Sequence, residues 1–218
     1  MSGVRDCGGE ERARLWLNYA AEYNVRLFTR VEKRFGTVSA ALEAFLGGDD
    51  AFLQASERVR GRMREAAADG FIDRFLERME RKKISFVCPG ETRYPRLLAE
   101  ISDPPSVLYY IGRLEPDPEL AVAIVGSRHP TQYGLDTAYA FAGALARAGA
   151  VIVSGLAEGV DASAARGALA CGPSGCPTVA VLGTGADVVY PASNAKLYRE
   201  IIERGAVVSE FLPGARAD

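Results

Sequence analysis

The stretch AVAIVGSRHPTQYG (121–134), a small-residue run to Ala148, and VIVSGLAEGVD (151–161) decide how this chain folds. Residues 121–125 are an apolar run of strand length, stopped by Gly126. From Gln132 to Ala148, Leu135, Ala138, Tyr139, Ala142, Leu145 and Ala146 recur at helical spacing, and Gly149 ends the pattern. Residues 151–153 are a second short apolar strand, and Gly155 and Gly159 bracket a tight turn into a helix over 160–171. A third unit follows, with a strand at 178–182, the turn Gly183-Thr184-Gly185 and a helix over 193–204. Alternating strands and helices predict parallel pairing with right-handed crossovers. The three strands then point the same way and their glycine turns gather on one rim, where open α/β sheets bind ligands.

Each turn delivers a strand into a helix N-terminus, where free N–H groups and the positive end of the helix dipole face outward. Glycines let a ligand approach such a backbone closely, which is the recipe for an anion site. Arg128 adds a fixed charge with a planar donor fork suited to phosphate oxygens. The same glycines also suffice to make tight βα turns, and only the set of three plus Arg128 favours a phosphate ligand. The turn Gly126-Ser127-Arg128 lacks the three-glycine dinucleotide pattern, and Ser154-Gly155 ends its strand without a carboxylate placed to hold a ribose. No lysine follows a glycine-rich loop as in nucleotide hydrolases, so NAD or ATP use is not expected.

The 218 residues, 48% of them hydrophobic, allow one or two domains with a sizeable core. Neither a bilayer-spanning apolar run nor a signal-peptide pattern is present, and a cytoplasmic location is expected. Four cysteines (Cys7, Cys88, Cys171 and Cys176) have no CxxC spacing. Cys88 and Cys171 read as buried thiols, while Cys171 and Cys176 flank a loop across which they have the option of pairing or of binding metal. With His129 the only histidine, no metal site or histidine-based catalysis is expected, and no cofactor. Net charge is −2, and residues 121–218 hold seven basic and eight acidic side chains. Any polyanion must therefore be held locally rather than on a broadly basic face.

Residues 1–9 read as a disordered tail, 10–82 as a helical domain and 84–218 as the α/β domain. In the first, Leu15, Trp16, Tyr19, Ala20 and Tyr23 mark one helix. Leu27, Val31 and Phe35 mark a second, and Thr37 caps a third that closes at Gly47-Gly48. Residues 57–83 form a longer helical stretch broken near Gly70, its arginines alternating with acids as on a solvated face. Strands at 84–88 and 107–111 flank a short helix opened by Tyr94-Pro95.

These residues resemble the DNA-processing protein A (DprA/Smf) family. The likeness runs in order through Tyr94-Pro95-Arg96-Leu97-Leu98, Asp103-Pro104-Pro105, Gly126-Ser127-Arg128 with Tyr133-Gly134, and Ser154-Gly155-Leu156-Ala157 with Gly159-Val160-Asp161. It ends with Gly167-Ala168-Leu169, Tyr190-Pro191 and Ser209-Glu210. The resemblance implies a Rossmann-like, mostly parallel α/β sheet behind a small helical domain of the SAM or helix-hairpin-helix kind. It implies a non-catalytic protein that binds single-stranded DNA in natural transformation, helps load the RecA recombinase and self-associates. The phosphate site it implies comprises Gly126, Ser127, Arg128, Tyr133, Gly134, Ser154, Gly155, Ala157, Gly159 and Asp161, with Gly183 added by the rim argument.

Two departures stand out. Ala165 occupies the position of a histidine common in the family, and the sequence stops at Asp218 where the family continues with an Arg-Asn-Arg element and further strands. An incomplete sheet is therefore expected, with Val207-Val208-Ser209 near an uncovered edge. Two competing readings remain: a truncated remnant with a structural role, and a nucleotide-processing Rossmann-like enzyme. For the latter, Asp161, Glu158 and Asp187 do not form a convergent acid/base set in the sequence.

Overall fold

A computed structural model describes residues 7–21, 24–49, 52, 55–170 and 176–216. Among these, five helices come first: α1 (Gly9–Ala21), α2 (Val25–Phe35), α3 (Val38–Leu46), α4 (Glu57–Ala66) and α5 (Phe71–Arg81). Then follow β1 (Ser85–Val87), α6 (Arg96–Ala99), β2 (Leu108–Gly112), β3 (Ala121–Ala123), α7 (Gln132–Arg147) and β4 (Val151–Ser154). The chain closes with α8 (Val160–Leu169), β5 (Thr178–Val181), α9 (Ala195–Arg204) and β6 (Ala206–Ser209). Residues 1–6, Tyr23 and Cys171 lie outside the described residues, so the tail, the end of the first helix and the cysteine pairing are not described. Helix α1 begins at Gly9, inside the expected tail.

Local signals set the helix ends. Asn24, Thr37 and Ser56 accept from the amides of Leu27, Ala40 and Val59, capping α2, α3 and α4. Gly70, at φ 67°, separates α4 from α5 where the sequence predicts a break. Trp16 is fully buried among α1, α3 and α4, donates to the Met63 carbonyl at 2.9 Å, and meets Phe45 and Phe52 with ring centroids at 5.4 and 6.3 Å. Arg62 does not sit on a solvated face; its guanidinium lies 4.5 Å over the Tyr19 ring.

The six strands form one sheet in the order β1-β2-β6-β5-β4-β3. Strands β3 to β6 are parallel, and β2 pairs antiparallel with both β1 and β6. Strand order follows sequence order from β3 to β6, so right-handed crossovers put α7, α8 and α9 on the same face. Val122, Ile124, Ile152, Ala180, Leu182 and Val207 pack beneath them. Helices α1 and α5 extend this layer over Tyr109 and Ile111. Buried Asn18 of α1 accepts from the Tyr109 hydroxyl at 2.7 Å.

On the opposite face Tyr94 and Leu98 cover β1, β2 and β6, but Ala121, Ala123 and Val125 are exposed, and Val181 is 47% exposed. This corrects the expected location of the weak edge. β6 is interior, flanked by β5 and β2, and all four of its residues are buried; the border strand beside bare sheet is β3. The antiparallel return of β2 covers the side where an exposed edge was expected.

Candidate nucleic-acid interface

At the C-terminal ends of β3, β4 and β5 the chain makes three turns, and each is fastened to its neighbours. The Ser154 hydroxyl donates to the Ile124 carbonyl at 2.7 Å, joining the ends of β3 and β4. Asp161, in the first turn of α8 and buried, accepts from the Gly126 amide at 3.2 Å with one oxygen and from the Gly155 amide at 3.1 Å with the other. A first-turn carboxylate is favoured by the helix dipole. Here it also clips the first two turns together across 35 residues of sequence.

The second turn adopts a costly conformation. Leu156 has φ 57°, in the left-handed region, while its side chain is fully buried. Asn194, 4% exposed, holds it there by donating from Nδ2 to the Leu156 carbonyl at 2.9 Å. Gly159, at φ 82°, lies directly under the first turn, where a Cβ would stand 2.3 Å from the Ser127 carbonyl oxygen. No side chain fits there. The Val160 amide donates to that same Ser127 oxygen at 3.2 Å, so the first turn rests on the start of α8.

The third turn is fastened from below and from the side. The Ser209 hydroxyl donates to the Thr184 carbonyl at 2.6 Å, and the Thr184 hydroxyl donates to the Val188 carbonyl at 2.9 Å. The Tyr198 hydroxyl donates to the Ala186 carbonyl at 2.7 Å, and burial, with the Asp187 charge adding to it, pushes this phenol up to about 12. Asp187 accepts from the Gly214 amide at 2.7 Å and pairs with Lys82 at 2.5 Å, tying the end of α5 to the rim.

Between the turns lies a cleft of about 350 Å³ lined by Arg128, Gly155, Ala157, Glu158, Gly183 and Thr184, with Leu182, Tyr190 and Pro191 completing it. Arg128 is exposed and, among the described residues, has no ion-pair partner. Glu158 shares the cleft and accepts from the Ser193 hydroxyl at 2.7 Å.

Of the residues singled out from sequence, Arg128, Gly155, Ala157 and Gly183 come together here. The others sit elsewhere. Ser154 and Asp161 are buried fasteners, and Gly126 is held by Asp161. Gly159 supports the first turn, and Ser127 accepts the His129 amide at 3.0 Å. Gly134 donates its amide to the Thr131 cap of α7 at 3.2 Å, and Tyr133 is 80% exposed on that helix. Two amides expected to be free for an anion, those of Gly126 and Gly155, are thus occupied by a carboxylate of the chain itself. Asn194 and Thr184 were not anticipated as organisers. In the sequence Asn194 falls inside the helix expected over 193–204, and nothing local marks it out.

Cys88 and Cys176 are buried, and burial pushes both thiols up; the Cys176 thiol contacts the Arg113 carbonyl at 3.2 Å. Among the described residues no group of three or more His, Cys, Asp or Glu side chains is placed to hold a metal ion. None of their helices is long and apolar enough to cross a membrane.

Residues 85–218 match the family model of the DNA recombination-mediator protein A. The chain is 41% identical over 148 residues to Protein Smf of Synechocystis, covering 66% of this chain and 36% of that protein. It is 41% identical over 121 residues to DNA processing protein DprA of Streptococcus pneumoniae, covering 56% and 42%. The X-ray structure of the Streptococcus pneumoniae protein superposes with a TM-score of 0.62 at 34% identity, over 78% of this chain and 57% of that one. A structure of DNA processing protein A from Helicobacter pylori, solved to describe its single-stranded DNA binding mode, gives 0.54 at 34% identity, over 62% and 59%. The chain spans less than half the length of these two curated relatives. The ordered turns at the ends of β3, β4 and β5, and a matched region that contains all of them, make this chain a member of the DNA recombination-mediator protein A family.

Proposed function

We propose that this chain is a non-catalytic, cytoplasmic DNA-processing protein that binds single-stranded DNA by its phosphates at the rim cleft. The observation that carries this reading is the guanidinium of Arg128, without an ion-pair partner among the described residues, lining one cleft with Gly155, Ala157 and Gly183. A planar donor fork beside approachable backbone suits a phosphodiester. The Glu158 carboxylate repels phosphate from its own side, so the strand's charge is met by Arg128 and the Gly183-Thr184 turn. The relatives' names and the single-stranded DNA binding mode described for the Helicobacter pylori protein support the same ligand class. Of the predicted phosphate residues, Ser154, Gly159 and Asp161 serve this reading as supports, while Ser127, Tyr133 and Gly134 are not among the residues that line the cleft. Self-association and delivery of the bound strand to the RecA recombinase belong to the proposal on the strength of the family resemblance.

Fluorescence-anisotropy titration of oligonucleotides with Arg128→Ala tests the reading. Phosphate contacts carry no base code, so affinity should fall by a similar factor for every homopolymer. The slope of log affinity against log salt should lose about 0.7, the value for one phosphate of a single strand. Equal affinity of wild type and variant at every salt concentration overturns it.

A further inference from the structure

The exposed face of α2, outside the family-matched residues 85–218, carries a row of cations. Arg26, Arg30 and Lys33 fall within about 60° of the helix circumference, at about 4.5–6 Å intervals along its axis. All three are exposed, and none has an ion-pair partner among the described residues. Arg34 continues the row but is held by Asp49 at 3.4 Å. The one acid of this helix, Glu32, points the other way and is bonded to Arg14 at 2.6 Å. Several other cations of the chain are paired: Arg12 with Asp73, Arg60 with Glu57, Arg96 with Asp117 and Lys82 with Asp187. In a protein of net charge −2, a run of unpaired cations on one helix face is a local electrostatic footprint. Beside it a shallow groove, walled by Arg30 and Arg34 and floored by Leu27, Val31, Phe35 and Phe52, runs along the helix.

We propose that this face of α2 is a second contact for the phosphate backbone of single-stranded DNA, separate from the rim cleft. The inference rests on the reading that the chain binds such DNA. A strand long enough to leave the cleft is held on the helical bundle by three successive cations, without regard to base. An acidic protein segment is the competing occupant of the same charge.

The test uses the full chain with Arg26→Gln, Arg30→Gln and Lys33→Gln combined, all at exposed positions. For a long oligothymidylate the salt slope should shrink by about 2, three phosphates at about 0.7 each. For an oligothymidylate too short to leave the cleft it should stay at the wild-type value. A variant with Arg26→Lys and Arg30→Lys keeps the charge and should keep the wild-type slope, showing that charge is what is read. An unchanged slope with the long strand, or an equal loss with short and long strands, overturns the proposal. So does loss of slope in the lysine variant. The outcome is separable from that for the cleft: Arg128→Ala without effect removes the cleft reading, and the glutamine triple without effect removes this one. Wild-type protein that binds no oligonucleotide at any salt removes both.

Discussion

In the helical bundle the positions that matter are filled by large side chains, whereas along the rim they are filled by backbone. Trp16 sits at the centre of the bundle with Phe45 and Phe52 against it, and the stacked pair Phe35 and Phe52, 5.5 Å apart, extends the cluster. Such a core accepts substitutions that preserve volume and shape. The rim instead holds three turns in place through Ser154, Asp161, Asn194 and Ser209, each bonded to main-chain groups of another segment, and through a glycine where two segments touch. Packing makes the bundle stable; cross-fastening keeps the rim's shape before any ligand arrives, at the cost of tolerance to change.

The difference is sharpest at two glycines of similar conformation. Gly159 and Gly36 have φ of 82° and 79°, but a Cβ on Gly36 meets nothing within 4 Å. Gly159→Ala should cost about 5 kcal/mol, at the upper end for one substitution. Gly36→Ala should cost about 1 kcal/mol for the left-handed backbone alone. Denaturant titration of both variants decides, and similar losses would erase the contrast drawn here. Trp16→Ala should follow at about 4 kcal/mol, from lost burial plus a cavity. Trp16→Phe should recover much of that, since the bundle responds to volume.

Asp161→Asn tests the rim's fastening next. An amide offers one acceptor oxygen where the carboxylate offers two, so one of the Gly126 and Gly155 amides loses its partner. The expected loss is about 2 kcal/mol. Oligonucleotide affinity should drop as well, despite the removal of a negative charge; a gain in affinity would mean that the carboxylate acts only by repelling phosphate. The smallest effect belongs to the bundle. Glu10 reaches from α1 to the start of α3, accepting from the Val38 amide at 3.1 Å and the Ser39 amide at 2.9 Å. Burial pushes its carboxyl up, but the Ser39 amide and hydroxyl, the Val38 amide and Arg14 outweigh this and hold it below its ordinary 4.5. A lowered folded pKa stabilises above the unfolded value and is lost as pH falls through the folded one. The melting-temperature gap between wild type and Glu10→Gln should therefore be full at neutral pH and close as the pH drops below 4.5.

Much of the scaffold is legible because periodicity and glycine punctuation act over short distances. Alternating strands and helices from Ala121 onward give parallel strands and one rim, and both follow from crossover handedness. An edge at β6 is what the strands following it in the sequence would imply. Its second neighbour is β2, about a hundred residues earlier, and no local pattern announces that pairing. That Arg128, Gly155, Ala157 and Gly183 share one cleft is legible because the turns that carry them are local features. The parts played by Asp161 and Asn194 are not, because a first-turn carboxylate has a sufficient local explanation and Asn194 reads as one more residue of the helix expected over 193–204. Only the fold brings Gly126 to the one and Leu156 to the other.

The one-directional winding from β3 to β6 has a consequence for how the molecule behaves in company. It leaves β3 as a short border with hydrogen-bonding groups unshared on its outer side, next to an oily surface of Ala121, Ala123 and Val125, the last 69% exposed. A border of this kind is a template on which any extended peptide can lay down a further rung. If such a rung ran parallel to β3 and led into a further parallel strand outside it, a right-handed connection would cross the bare face rather than the face that carries α7, α8 and α9.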